Sequence, residues 1–144
     1  VRVLGQPLAV VPVLRAGLGM LEPITDLFPD VSVGYIGLER HHDTAIAHSY
    51  YSKLPVLSGK YTLCVDPMLA TGGSASQAIS LIKTHGPDRV VMVSVVSAPE
   101  GVRRLERDHP EVEIFTAALD RQLNEQKYIL PGLGDYGDRL YGTL

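Results

Sequence analysis

Short apolar runs rich in β-branched residues alternate along this chain with segments of helical period, the pattern of a mainly parallel sheet covered by helices on both faces. LAVVPVL (8–14) predicts a buried strand with a proline that kinks it or marks its end, and AGLGMLEPITDLF (16–28) a helical stretch interrupted at Pro23. VSVGYIGLE (31–39) alternates Val31, Val33 and Tyr35 as a second strand. HHDTAIAHSYYSKLP (41–55) is polar, aromatic and irregular, and reads as a loop or a protruding hairpin. YTLCV (61–65) is a third strand, and SASQAISLIKTH (74–85) a helix with Ala75, Ala78, Ile79 and Ile82 on one face, closed by Gly86 and Pro87. RVVMVSVV (89–96), apolar on both faces, predicts a central parallel strand. PEGVRRLERDH (99–109) is an amphipathic helix and VEIFTAAL (112–119) a fifth strand. The glycines of YILPGLGDYGDRLYGTL (128–144) forbid a regular element there. The predicted architecture is an open, mainly parallel α/β sheet of about five strands flanked by helices.

At 144 residues this is one domain's worth of chain, and residues 1–144 are expected to form a single unit. A net charge of −3 supplies no basic field, which argues against nucleic acid or an anionic membrane as partner. No apolar run approaches the roughly 20 residues needed to cross a bilayer, and VRVLGQPLAVV lacks the apolar centre of a signal peptide. The cytoplasm is therefore the expected compartment. The single cysteine, Cys64, falls inside YTLCV, so an internal disulfide is excluded and the thiol is expected to be inert core.

Ligands of open α/β sheets bind at the carboxyl ends of the strands, so the residues following each apolar run carry the candidate chemistry. After YTLCV come Asp66, Pro67, Met68, Leu69, Ala70, Thr71, Gly72, Gly73 and Ser74, leading into a helix. Amides at a helix start carry partial positive charge, glycines let a phosphate approach the backbone, and Thr71 and Ser74 add hydroxyls. The plainer reading is a turn in which Ser74 and Gln77 form a capping box. The stretch is not a Walker loop, because no glycine-lysine pair closes it, and Lys60 lies ahead of the strand. The GxGxxG string at Gly132, Gly134 and Gly137 has no helix to follow it and does not predict a dinucleotide fold. Arg15 follows the first strand, with Ala16, Gly17 and Gly19 leaving the backbone bare beside it, a setting that suits a pyrophosphate. Asp135 and Asp138 sit in the glycine-rich tail, anchored by Tyr128, Ile129 and Leu130.

The motifs VLRAGLGM (13–20), VDPMLATGGSA (65–75) and YILPGLGDYGDRLYGT (128–143), with APEG (98–101) and LDRQLNE (119–125) between them, resemble the uracil phosphoribosyltransferases, a branch of the type I phosphoribosyltransferases. The resemblance implies transfer of a phosphoribosyl group from 5-phosphoribosyl 1-diphosphate (PRPP) to N1 of uracil, giving UMP. Asp66, Pro67, Met68, Leu69 and Ala70 through Ser74 would form the PRPP-binding loop, with Asp66 near the ribose hydroxyls and Ala70 to Ser74 around the 5′-phosphate. Arg15 and Arg40 would meet the pyrophosphate. Ile129, Gly134, Asp135 and Tyr136 would hold uracil, with Asp135 also facing PRPP and standing as the candidate general base. The resemblance further implies Mg²⁺ held mainly by PRPP itself, GTP as an effector, a homo-oligomer, a hood loop over the site at about 39–56, and a uracil loop at about 128–143. A non-catalytic PRPP-binding or nucleotide-binding regulator of the same fold is the alternative, which the presence of Arg15, Arg40, Asp66 and Asp135 disfavours.

Three features depart from the family pattern. The sequence begins almost on the first core strand, without the preceding arm that packs on the core and helps build the dimer. Tyr136 stands where a small residue is usual, and ERHHDTAIAH differs from the usual hood text. Adjacent His41 and His42 would point to opposite faces of an extended strand, so with Asp43 they read as a solvated loop and not as a metal site. His48, His85 and His109 read as surface or helix-end residues, Tyr50 and Tyr51 as packing for the hood, and RRLERD (103–108) as a solvated helix face.

Overall fold

The computed structural model describes residues 5–40 and 47–143, without the side chains of residues 39, 40, 47 and 48. Its central layer is built from β1 (Leu8–Leu14), β2 (Ser32–Val33), β3 (Tyr35–Arg40), β4 (Ala47–Lys53), β5 (Tyr61–Val65), β6 (Met68–Leu69), β7 (Arg89–Ser97) and β8 (Glu113–Leu119). Strands run in the order β4-β3-β1-β5-β7, with β2 also on β1, and β6 and β8 both on β7. All of these pairings are parallel except β3 with β4, which is antiparallel. The mainly parallel sheet is therefore as the apolar pattern predicts, with short strands added that a reading of long runs misses.

Register explains the core. Val11 pairs with Cys64 and Cys64 with Met92, so these three share one sheet face with Ala9 and Val13. Onto that face α2 (Gly73–Lys83) presses Ala75, Ala78, Ile79 and Ile82, and α3 (Pro99–Asp108) presses Leu105. Ile79, Ile82 and Leu105 are fully enclosed, each contributing about 1.5–3 kcal/mol of hydrophobic burial. The opposite face is covered at β1 by a 3-10 turn (Ala16–Met20) and α1 (Leu21–Leu27). Toward β8 it carries exposed Val95 and Phe115.

Several local expectations are corrected. Pro23 does not interrupt a helix: it sits in the first turn of α1, where its missing N–H would have no intrahelical acceptor in any case. The strand read at 31–39 divides at buried Gly34, whose N–H donates to Val10 O. Of the two readings of the polar stretch after residue 40, the hairpin is the one found: β4 pairs antiparallel along β3 with a register shift at Gly37/Leu38, while residues 41–46, with His41, His42 and Asp43, lie outside the described residues. The glycine-rich tail does form a regular element, α4 (Tyr136–Tyr141), because the Asp135 carboxylate caps its start by accepting the Asp138 N–H and Gly142 ends it in the left-handed conformation. His109 ends α3 as expected of a helix-end residue. It is buried, however, with Nε2 2.8 Å from Ser76 O and 3.2 Å from Ser80 Oγ.

Candidate active site

The loop after β5 takes its shape from its own polar groups. Asp66 donates its N–H to Val93 O, while its Oδ1 accepts the Met68 N–H at 3.2 Å in a local turn. β5 ends at Val65, ahead of Pro67, and pairing with β7 resumes in β6 at Met68 and Leu69. Thr71 Oγ1 accepts the Gly73 N–H, and Gly72 enters α2 with φ +76°. Ser74 lies within the helix, so the capping box with Gln77 does not form. The N-cap residue, Gly72, has no side chain with which to cap the helix, and the bare backbone there suits an incoming anion.

The glycines serve a second purpose that the sequence reading did not anticipate. A Cβ on Gly72 would stand 2.8 Å from Gly101 O, and one on Gly101 only 2.5 Å from Ala70 O. These glycines let α3 lie directly on the loop. A Cβ on Gly73 would meet Arg104 Nη1 at 3.1 Å, so this guanidinium, read from sequence as part of a solvated face, leans onto the loop while pairing weakly with Asp108 at 3.5 Å.

The second motif is likewise covered by its own chain. A Cβ on Gly17 would lie 2.7 Å from Val65 O, and one on Gly19 would lie 2.7 Å from the Tyr136 hydroxyl and 2.9 Å from Leu140 Cδ2. The small residues here admit β5 and α4 and are not left bare. Arg15 reaches the tail: its Nη2 is 3.4 Å from Asp138 Oδ1 and 3.2 Å from Thr143 Oγ1, and its guanidinium carbon lies 5.5 Å from the centre of the Tyr141 ring. The pair is half open to solvent, with Arg15 52% and Asp138 34% exposed, so its contribution is about 0–1 kcal/mol.

The tail begins with a hairpin of β9 (Gln122–Leu123) and β10 (Ile129–Leu130). Asn124 closes its turn by accepting the Tyr128 N–H, and Lys127 adopts φ +69°. Asp120 Oδ2 accepts the Gly132 N–H at 2.8 Å and ties the hairpin to the segment before α4. Between hairpin, tail and loop lies a cavity of about 380 Å³ lined by Ala16, Met68, Ala70, Gln126, Lys127, Tyr128, Ile129, Gly134, Asp135, Tyr136 and Gly137.

That cavity brings together all four residues assigned to uracil, Ile129, Gly134, Asp135 and Tyr136, with Met68 and Ala70 of the phosphate loop. Arg15, Asp66, Pro67, Leu69 and Thr71–Ser74 are not among the residues that line it, and the side chain of Arg40 lies outside the described residues. Ala16, Gln126, Lys127, Tyr128 and Gly137 were missed. The turn residues of NEQK between two apolar pairs were the available signal for the hairpin. Beneath the loop, Cys64 is fully buried, and desolvation, aided by the Asp66 carboxylate, pushes its thiol far above the ordinary range. Among the described residues no group of three or more His, Cys, Asp or Glu could hold a metal ion, and no helix is long and apolar enough to cross a membrane.

The mainly parallel sheet, with the loop and helix that follow β5 at the carboxyl end of a central strand and the tail folded back beside them, has the type I phosphoribosyltransferase fold. A purine phosphoribosyltransferase from Pyrococcus horikoshii superposes with a TM-score of 0.66 over 81% of this chain and 72% of its own, at 15% identity. Residues 1–143 match the uracil phosphoribosyltransferase family, and the chain belongs to that family of pentosyltransferases. It is 48% identical over 141 residues to the uracil phosphoribosyltransferase of Malacoplasma penetrans, covering 97% of this chain and 68% of that one. A protein of known structure from Aquifex aeolicus is 48% identical, with a TM-score of 0.89 over 93% of this chain and 64% of that one. The chain thus spans about two thirds of the length of these relatives.

Proposed function

We propose that this chain transfers the phosphoribosyl group of PRPP to N1 of uracil, releasing diphosphate and UMP. The observation that carries the reading is the single cavity in which Met68 and Ala70 of the phosphate loop face Ile129 and the Gly134–Gly137 tail. Two substrates held on those two walls would meet between them.

Uracil presents a fixed row of donors and acceptors, and main-chain groups of Ile129 and Gly134–Tyr136 are suited to match it, leaving a wrong base with unpaired groups. The uncapped start of α2, with Thr71 and Ser74 beside it, receives the 5′-phosphate, and Asp66 accepts hydrogen bonds from the ribose hydroxyls. As the glycosidic bond to diphosphate breaks, negative charge grows on the leaving group, and Arg15 with Arg40 stabilises it. Arg15 can be drawn to the diphosphate because its present link to Asp138 is weak and solvent-exposed. Asp135, the candidate general base, already spends one carboxylate oxygen on capping α4, and in this reading its first task is to hold the Gly134–Tyr136 backbone in place.

A magnesium ion arriving with PRPP, held mostly by the substrate's own oxygens, would spread the charge of the diphosphate. The β3–β4 hairpin is the proposed hood and 1–144 the proposed single core domain. GTP activation enters from the family resemblance, and a homo-oligomer is supported by the exposed Val95 and Phe115. The test is formation of labelled UMP from labelled uracil, PRPP and Mg²⁺, with and without GTP. A folded chain that yields no UMP would falsify the enzymatic reading.

A further inference from the structure

The motifs APEG and LDRQLNE meet each other. Glu100 Oε1, in the first turn of α3, accepts the Leu123 N–H of β9 at 3.0 Å across 23 residues of sequence. Its other oxygen, Oε2, is covered by surrounding protein and makes no hydrogen bond. An acid in the first turn of a helix is favourable in itself, but that effect would be obtained with the carboxylate facing water. Turning it inward, with one oxygen left unpaired, is explained by what the other oxygen holds.

Glu100 sits between the two walls of the cavity. Its neighbour Gly101 lies directly on Ala70 and Leu69 of the phosphate loop, and Ala98 donates its N–H to Leu69 O at 2.9 Å. On the other side, the strand that Glu100 grips pairs with β10, with Ile129 opposite Leu123. The turn of this hairpin supplies Gln126, Lys127 and Tyr128 to the cavity. We propose that Glu100 is a positioning residue for the uracil wall: its carboxylate sets the distance of the hairpin from the phosphate loop, while Gly101 fixes the same helix end to that loop. This rests on the reading of the cavity as the uracil site.

The two contacts are separable, because removing the Glu100 side chain leaves the Gly101 seat on Ala70 intact. Glu100→Ala is expected to raise KM for uracil about tenfold, the size of one lost charge-assisted hydrogen bond, with KM for PRPP and kcat within about twofold of the parent. Glu100→Gln keeps an acceptor for the Leu123 N–H and is expected to recover most of the uracil affinity. An unchanged uracil KM in Glu100→Ala, or equal rises in both KM values, overturns the proposal. If Glu100→Ala does not fold, Glu100→Gln decides alone, and a large rise in its KM for PRPP with no change for uracil is the contrary result. Hydrogen exchange at the Leu123 amide is read in parallel. Faster exchange in Glu100→Ala with normal exchange in Glu100→Gln supports the tie even where the parent makes no UMP, which would sink only the functional reading; equal exchange in parent and Glu100→Ala refutes the tie.

Discussion

Asp66 shows how one side chain can be both a structural acceptor and a charge. Its Oδ1 closes a turn by accepting the Met68 N–H, a task that asparagine performs as well. Asp66→Asn is therefore expected to keep the loop and the melting temperature while removing the negative charge offered to the ribose, raising KM for PRPP at least about tenfold and leaving uracil within about threefold. Steady-state kinetics with each substrate varied in turn checks this, and equal losses for both would remove Asp66 from its assigned place. Cys64, two residues earlier, is the opposite case. Complete burial, deepened by the Asp66 charge, keeps it a neutral thiol, and its inertness was readable from YTLCV alone.

The contact between α3 and the phosphate loop is set by backbone atoms with nothing able to move aside. Gly101→Ala would bring a methyl to within 2.5 Å of Ala70 O and 2.8 Å of Leu69 O. It is expected to destabilise the protein by about 2–4 kcal/mol, measured by urea unfolding, and to weaken PRPP as the loop is pushed outward. A loss under 0.5 kcal/mol would mean that the helix can retreat without consequence. The long strands and α2 were legible from periodicity, since each buries one continuous apolar set. What stayed hidden was of another kind. The β9–β10 hairpin is two residues to a side, too short for any period, and α4 exists because Asp135 caps it and Gly142 closes it against a glycine-rich composition. The glycines of VDPMLATGGSA and RAGLGM were legible as places of close approach. That the approaching group is in good part the protein itself could not be read without knowing which elements fold back.

For the molecule as a whole, the sheet has one well-filled face and one that is open toward β8. Phe115 is 56% exposed there, with exposed Val95 on the neighbouring strand, a combination suited to association with another copy of the chain. Light scattering is expected to show a homo-oligomer that Phe115→Asp shifts toward monomer; a parent that stays monomeric at high concentration contradicts this. The bonds from Arg15 to Asp138 and Thr143 reach across 123 and 128 positions, and the Tyr141 hydroxyl returns to Arg15 O across 126. A ribosome delivers the first of these partners long before the last. Arg15 therefore waits unpartnered until Asp138, Tyr141 and Thr143 have been made, and a chain halted between Ser74 and Asp138 would carry the complete loop after β5 while lacking the clasp that joins the turn after β1 to the tail.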